Sequence, residues 1–274
     1  MRTLNPILLL ALLFFAACGP GTTDTDDAAD EGEMMDMDAA ANEASTTMQS
    51  YTLTPFEQST AYPDAAIQSV TYQDGRFDFE ISDYELGVQT PDADQKMCAN
   101  SAKGQHIHLI IDRQPYSAQY TAEFDYDIED GEHYLLSFLS RSYHESVKNP
   151  AARWVRKIMV EDKSITSAEE ITGPMLFYSR PKGTYVGAAQ TEKVMLDFYL
   201  LNAALGQEYM VKADINGETY MIDEWQPYYI EGLPMGETTI ELTLVDADGN
   251  PVDVPLNPVE RTITLKEDPA EATQ

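Results

Sequence analysis

Apolar and polar residues alternate with a period of two along most of the chain. The first such runs are Ile67–Tyr72, Arg76–Ser82, His106–Asp112, His133–Ser140 and Trp154–Val160. A second set follows at Val194–Leu201, Tyr209–Ile215, Glu218–Asp223, Thr238–Val245 and Arg261–Leu265. Period two places successive side chains on opposite faces of a strand, so each run predicts a β-strand with one face toward a core. Turn signals separate the runs: Gln73-Asp74-Gly75, Asn216-Gly217 and Asp248-Gly249-Asn250-Pro251. No stretch carries sustained helical periodicity. Short strands with this spacing predict an all-β chain of two tandem immunoglobulin-like antiparallel sandwiches. The first is expected over residues 51–161 and the second over 173–267. The polar, unpatterned stretch 162–172 is expected to link them, and 268–274 to form a disordered tail.

The halves match each other at several points. Phe77-Asp-Phe-Glu-Ile corresponds to Leu196-Asp-Phe-Tyr-Leu, Asp112–Tyr116 to Asn216–Tyr220, Gly131-Glu-His133 to Gly236-Glu-Thr238, and Arg156-Lys-Ile-Met-Val to Arg261-Thr-Ile-Thr-Leu. Their common order and near-constant spacing suggest a duplicated fold. The spacing shrinks between the second and third strands, which puts about fifteen extra residues within 87–105 of the first half.

Composition changes the picture at the N-terminus. Arg2 precedes the apolar run Ile7–Ala17, which is too short to span a bilayer. It ends in Phe15-Ala16-Ala17-Cys18, which resembles the bacterial lipobox with Phe in place of the usual Leu. That resemblance implies a lipoprotein signal over residues 1–18 and lipidation of Cys18. The alternative is an ordinary signal peptide with an incidental cysteine. Gly19 rather than Asp after the cysteine favours the outer membrane. Residues 19–50 hold nine acidic and no basic side chains. They have little to bury and read as a disordered tether. Beyond residue 50, 38 acidic face 16 basic side chains. Such a balance repels phosphate backbones and argues against nucleic-acid partners.

Candidate chemistry gathers in the first half. All four histidines, His106, His108, His133 and His144, lie within 39 residues. Period two puts His106 and His108 on one face. Their counterparts in the second half are Met210 and Lys212, so the scaffold does not require histidine there. If Ile107, Leu109 and Ile111 face the core, both imidazoles point outward. In sandwich topology His106–Asp112 is strand C and His133–Ser140 its antiparallel neighbour F. His106, Cys98 from the insert and His144 from the loop 141–152 then share one end, whereas His133 falls at the other as a structural corner residue. A lone thiol near imidazoles suits copper or zinc, so Cys98, His106, His108 and His144 form a candidate metal set. The competing reading is that Cys98 is simply a small buried residue.

The same loop suggests a second site. Arg141, Lys148, Arg153, Arg156 and Lys157 are five of the sixteen basic residues after position 50. With Tyr143 and His144 beside them, Arg141, Lys148 and Arg153 are candidates to grip an anionic or protein ligand. Charge balance against Asp125–Glu132 explains the cluster equally. Gly-x-Ser-x-Gly, phosphate-loop, His-Glu-x-x-His and dinucleotide motifs are absent, and no enzymatic activity is expected.

The runs Gly104-Gln-His-Ile-His-Leu-Ile-Ile-Asp, Gly131-Glu-His-Tyr-Leu-Leu and Phe138-Leu-Ser-Arg-Ser-Tyr-His-Glu-Ser resemble a family of bacterial envelope lipoproteins. The β-domains of that family share a His-x-His strand and a Gly-x-His strand, and some members are labelled phosphopeptide-binding. The resemblance covers the first half well and the second moderately, and implies an envelope location and a β-fold more than an activity. The sequence therefore predicts a lipid-anchored, non-enzymatic outer-membrane module that recognises a protein or anionic ligand through its first β-domain and carries no cofactor. The alternative is a copper- or zinc-binding lipoprotein.

Overall fold

A computed structural model describes residues 51–269. Cys18, the signal segment, the tether and residues 270–274 of the expected tail lie outside the described residues. Among the described residues strand makes up 52% and helix 5%, which fixes the all-β class.

The first half holds β2 (Ala66–Gln73), β3 (Arg76–Ser82), β4 (His106–Ile111), β5 (Ser117–Gln119), β6 (Glu123–Asp125), β7 (Gly131–Ser140), β8 (Arg153–Glu161) and β9 (Ser164–Glu169). One sheet has the order β2-β3-β6 and the other β5-β4-β7-β8-β9. This is the A-B-E and C′-C-F-G order of immunoglobulin-like sandwiches, with β9 added beyond G. The second half holds β10 (Met175–Arg180), β11 (Gly183–Val186), β12 (Lys193–Leu201), β13 (Tyr209–Ile215), β14 (Glu218–Ile222), β15 (Tyr228–Glu231), β16 (Gly236–Asp246) and β17 (Val259–Lys266). Its sheets run β15-β12-β10 and β11-β17-β16-β13-β14, with β11 parallel to β17. The matched segments occupy equivalent strands: β3 with β12, β7 with β16, and β8 with β17.

Two boundaries differ from the sequence expectation. Residues 162–172 are not a linker. Asp162 and Lys163 adopt positive φ, turn the chain, and send β9 back along β8 with Lys157 opposite Glu169. The polar character of β9 reflects an exposed edge strand rather than a connector. Nor does the first sandwich begin at residue 51. Strand β1 (Thr52–Pro55) pairs antiparallel with β15, and Tyr51 joins the second core. The second sandwich is therefore discontinuous in sequence, and the first is inserted into it.

The halves are also not beads on a string. Ile67, Phe77, Ile107, Leu109, Leu135 and Leu139 fill the core of the first sandwich. Leu176, Leu196, Phe198, Val211, Leu242 and Ile263 fill that of the second. A third core lies between them: Ile110, Leu136, Phe138 and Val155 from the first half meet Met175, Phe177, Tyr199 and Leu201 from the second. Every residue of β4 and β10 is consequently buried. Four sheets stack, and β4, β10 and β12 of the two inner ones are covered on both faces.

Candidate metal centre

Alternation along β4 sends Ile107, Leu109 and Ile111 into the first core and turns His106, His108 and Ile110 the other way. The outward face expected from sequence is correct, but it is covered by the second sandwich. His106 and His108 are both 0% exposed. The register pairs His106 with Ser140 and His108 with Phe138 on β7. After Ser140 a tight turn brings His144 back: its N–H donates to the Arg141 carbonyl at 2.9 Å, and its φ is 72°. A non-glycine residue in this left-handed region is strained, a feature that concentrates at functional sites. His144 remains partly exposed and marks the solvent side.

The three rings converge. One nitrogen from each of His106, His108 and His144 lies within 4.8 Å of the others. His106 Nε2 is 2.9 Å from His108 Nε2 and 3.1 Å from His144 Nδ1. The Gly104 carbonyl, 2.8 Å from His106 Nδ1, can only accept. His106 therefore carries its proton on Nδ1 and turns a bare Nε2 toward the other two rings. Protons on both facing nitrogens would set two donors on this one lone pair. Gly104 itself has φ +85°, and a Cβ there would meet the Val88 carbonyl at 2.4 Å, so only glycine presents that oxygen. His108 Nδ1 lies 3.2 Å from Ser179 Oγ of the second sandwich. Two of the three rings thus have their far nitrogen held by a partner, as metal-binding histidines commonly do. Nitrogens bound to a tetrahedral zinc stand roughly 3.3 Å apart, a few tenths of an ångström beyond the two short spacings at His106 Nε2.

Burial keeps these rings neutral. Desolvation, with Arg180 and Lys182 adding repulsion against the Gly104 hydrogen bond, brings His106 down to about 4. Desolvation also takes His108 and His144 well below the ordinary imidazole value. Neutral imidazole is the form that binds metal.

The remaining candidates separate from this cluster. Cys98 is not among the converging ligands. It packs with Phe56, Tyr143, Met195 and Tyr229, so the insert carrying it seals the end of the junction. Burial pushes its thiol up to about 12. In the Cys18→Ser chain, we expect Cys98 to stay unreactive toward a disulfide reagent until the protein is unfolded. Rapid labelling under native conditions would contradict this burial. His133 takes the expected corner role, 2.7 Å from Asp112 Oδ2 and 2.9 Å from the Glu129 carbonyl. Partial burial opposes its charge, but these acceptors prevail and raise its pKa.

The basic loop is tied down rather than presented. Arg141 donates to the carbonyls of Thr60 and Ser146 and lies 3.5 Å from Glu145. Tyr143 is 0% exposed and donates to Asp92. Lys148 pairs at 2.6 Å with Asp197, a buried carboxylate of β12. Arg156 and Lys157 face Glu170 and Glu132. Arg153 lies over the Tyr199 ring. These residues stitch the junction, and charge balance accounts for them.

Sequence reasoning missed the groups that surround the histidines from the other side: Tyr116, Ser179, Arg180 and Lys182. Tyr116 stacks on His108 with centroids 3.6 Å apart and planes 6° from parallel. In the sequence it stood only as the counterpart of Tyr220 in the second half. Ser179, Arg180 and Lys182 come from the second sandwich, and only the tertiary packing brings them here.

No protein-family model and no curated protein matches the chain. Among solved structures, the fibronectin(III)-like modules of Clostridium thermocellum CbhA match at 18% identity and a TM-score of 0.28, over 35% of this chain and 100% of that one. The immunoglobulin-like architecture of each half rests on its own strand order.

Proposed function

We propose that this chain is a lipid-anchored, non-enzymatic protein of the outer membrane that holds a transition-metal ion, copper or zinc, through His106, His108 and His144. The observation that carries this reading is the convergence of three neutral imidazoles on the bare Nε2 of His106. A three-imidazole site suits copper and zinc and leaves a coordination position open. The anchor rests on Phe15-Ala-Ala-Cys18, and among the described residues no helix is long and apolar enough to cross a membrane. A net charge of −30 disfavours nucleic acid as a partner. The reading in which the loop after Phe138 grips a protein or anionic ligand draws less support, because four of its five basic side chains already face carboxylates.

Metal titration tests the proposal. The full-length chain, with Cys18→Ser in every variant to remove a competing thiol, should take up one copper or zinc ion tightly. His106→Ala/His108→Ala should lose that uptake while keeping its thermal transition. Equal uptake by both proteins would sink the metal reading.

A further inference from the structure

Arg180, Lys182 and Arg261 meet at the junction, and among the described residues no carboxylate lies within ion-pair distance of any of them. Arg180 is 5% and Arg261 7% exposed, and each keeps a buried Nε without a hydrogen-bond partner. Burying charge without an opposite charge is costly, and the protein has 47 acidic side chains from which to supply one. Arg180 also lies over the Tyr185 ring and Arg261 over the Tyr178 ring, and Tyr116 is the neighbour that also reaches the histidines. Arg180 NH1 donates to its Oη at 2.7 Å, and the Lys182 ammonium sits 3.8 Å over its ring while donating to its carbonyl. Arg261 reaches the adjoining backbone through the carbonyls of Gln114 and Ser179. On its other side, Tyr116 Oη is 3.3 Å from His144 Nδ1.

The phenol oxygen thus stands between a guanidinium and a ligand nitrogen. With the Oη proton on His144 Nδ1, that nitrogen and His106 Nε2 are facing lone pairs 3.1 Å apart; with the proton on Nδ1 instead, His144 competes with His108 for the one lone pair of His106. A cation between them removes the conflict and brings Oη within reach of the same ion. Resting on the three-histidine reading, we propose that Tyr116 Oη is the fourth ligand of this site, bound as phenolate. It takes the position for which the sequence suggested Cys98.

The phenolate sets a negative charge beside Arg180 and Lys182 and offsets part of the divalent charge that the ion brings. It also narrows the choice of metal. Three imidazoles and one hard anionic oxygen suit Cu(II), whereas Cu(I) favours soft sulfur ligands. Without an ion, burial holds the Tyr116 phenol above its ordinary pKa. The O–H bond breaks only as the O–metal bond forms, and one proton leaves to solvent for each ion bound. His108 turns its Nε2 lone pair inward by carrying its proton on Nδ1, toward Ser179 Oγ, with no net proton change.

Titration of the full-length Cys18→Ser chain with Cu(II) tests the ligand. The expected result is a visible phenolate-to-copper charge-transfer band that saturates at one equivalent with release of one proton. Tyr116→Phe keeps the ring stacked on His108. It should abolish the band and weaken binding by at least the about 10–100-fold that loss of an outer-shell partner costs. If wild type binds one Cu(II) without the band and Tyr116→Phe binds equally well, the fourth-ligand inference is overturned and the three-histidine site stands. If His106→Ala/His108→Ala takes up Cu(II) as wild type does, both readings fall. Should Tyr116→Phe not fold, the wild-type band and its proton release decide alone.

Discussion

Residues 173–267 expressed alone should fail to give a cooperatively folded domain, although the sequence pattern marks them as one. That fragment lacks β1, which covers the β15 edge, and Tyr51, whose ring fills the second core. It also uncovers Met175, Phe177, Tyr199 and Leu201, which bury against Ile110, Leu136, Phe138 and Val155 in the intact chain. Exposing a large apolar side chain costs about 1.5–3 kcal/mol, so four of them rival the whole stability of an ordinary domain. Adding residues 51–56 by a short linker should restore the edge strand but leave the apolar face open. The expected products are aggregates, or a species that binds a hydrophobic dye and melts without a sharp transition. A soluble monomer with a single cooperative transition would show that the third core is dispensable.

Acid should destabilise the intact protein well before most carboxylates titrate. In the unfolded chain the imidazoles of His106, His108 and His144 take up protons near pH 6.5, whereas the folded protein holds His106 neutral down to about 4. Between those values the unfolded state binds more protons. Stability is therefore complete above pH 6.5 and is lost as pH falls toward 4. His106 alone accounts for roughly 3 kcal/mol at 1.36 kcal/mol per pH unit. His108 and His144, displaced in the same direction, add to it. His133 works the other way, because its pKa is raised and its contribution is fully present in acid. It is one partly exposed ring against three. Urea midpoints measured from pH 7 to pH 4.5 should fall steeply, and His144→Gln should flatten the slope. A midpoint that does not move across this range would mean that the rings reach solvent without opening the fold.

Much of the architecture was legible in the sequence because alternation reports burial of one face. The ten predicted runs are all strands, and sandwich topology placed His106 on strand C and His133 at the opposite end on F. What alternation cannot report is a strand covered on both sides. Val194–Leu201 is apolar almost throughout, interrupted only by Asp197, and His106–Ile111 is nearly as continuous. Unbroken runs of this kind mark central strands. Treating the outward face of His106 and His108 as solvated therefore placed the histidines in the right direction but in the wrong medium. Strand β10 (Met-Leu-Phe-Tyr-Ser-Arg) escaped detection for the same reason, and β9 because an exposed edge strand is polar. Asp197 was the one local sign of the junction, since a carboxylate inside an apolar run must find a partner, here Lys148. Cys98 looked chemically interesting because it is the only thiol after Cys18, yet its surroundings are those of a packing residue.

The strand order has a mechanical consequence. Both ends of the described chain leave from the second sandwich, through β1 and β17, and the first sandwich hangs between β1 and β10 as an insertion. A pull on the chain ahead of Thr52 is borne by the β1–β15 ladder. Tension between the two ends must breach that ladder before it reaches β2. The histidines belong to the unstressed loop of this circuit, and a load applied ahead of β1 would leave their geometry undisturbed until the second sandwich gives way.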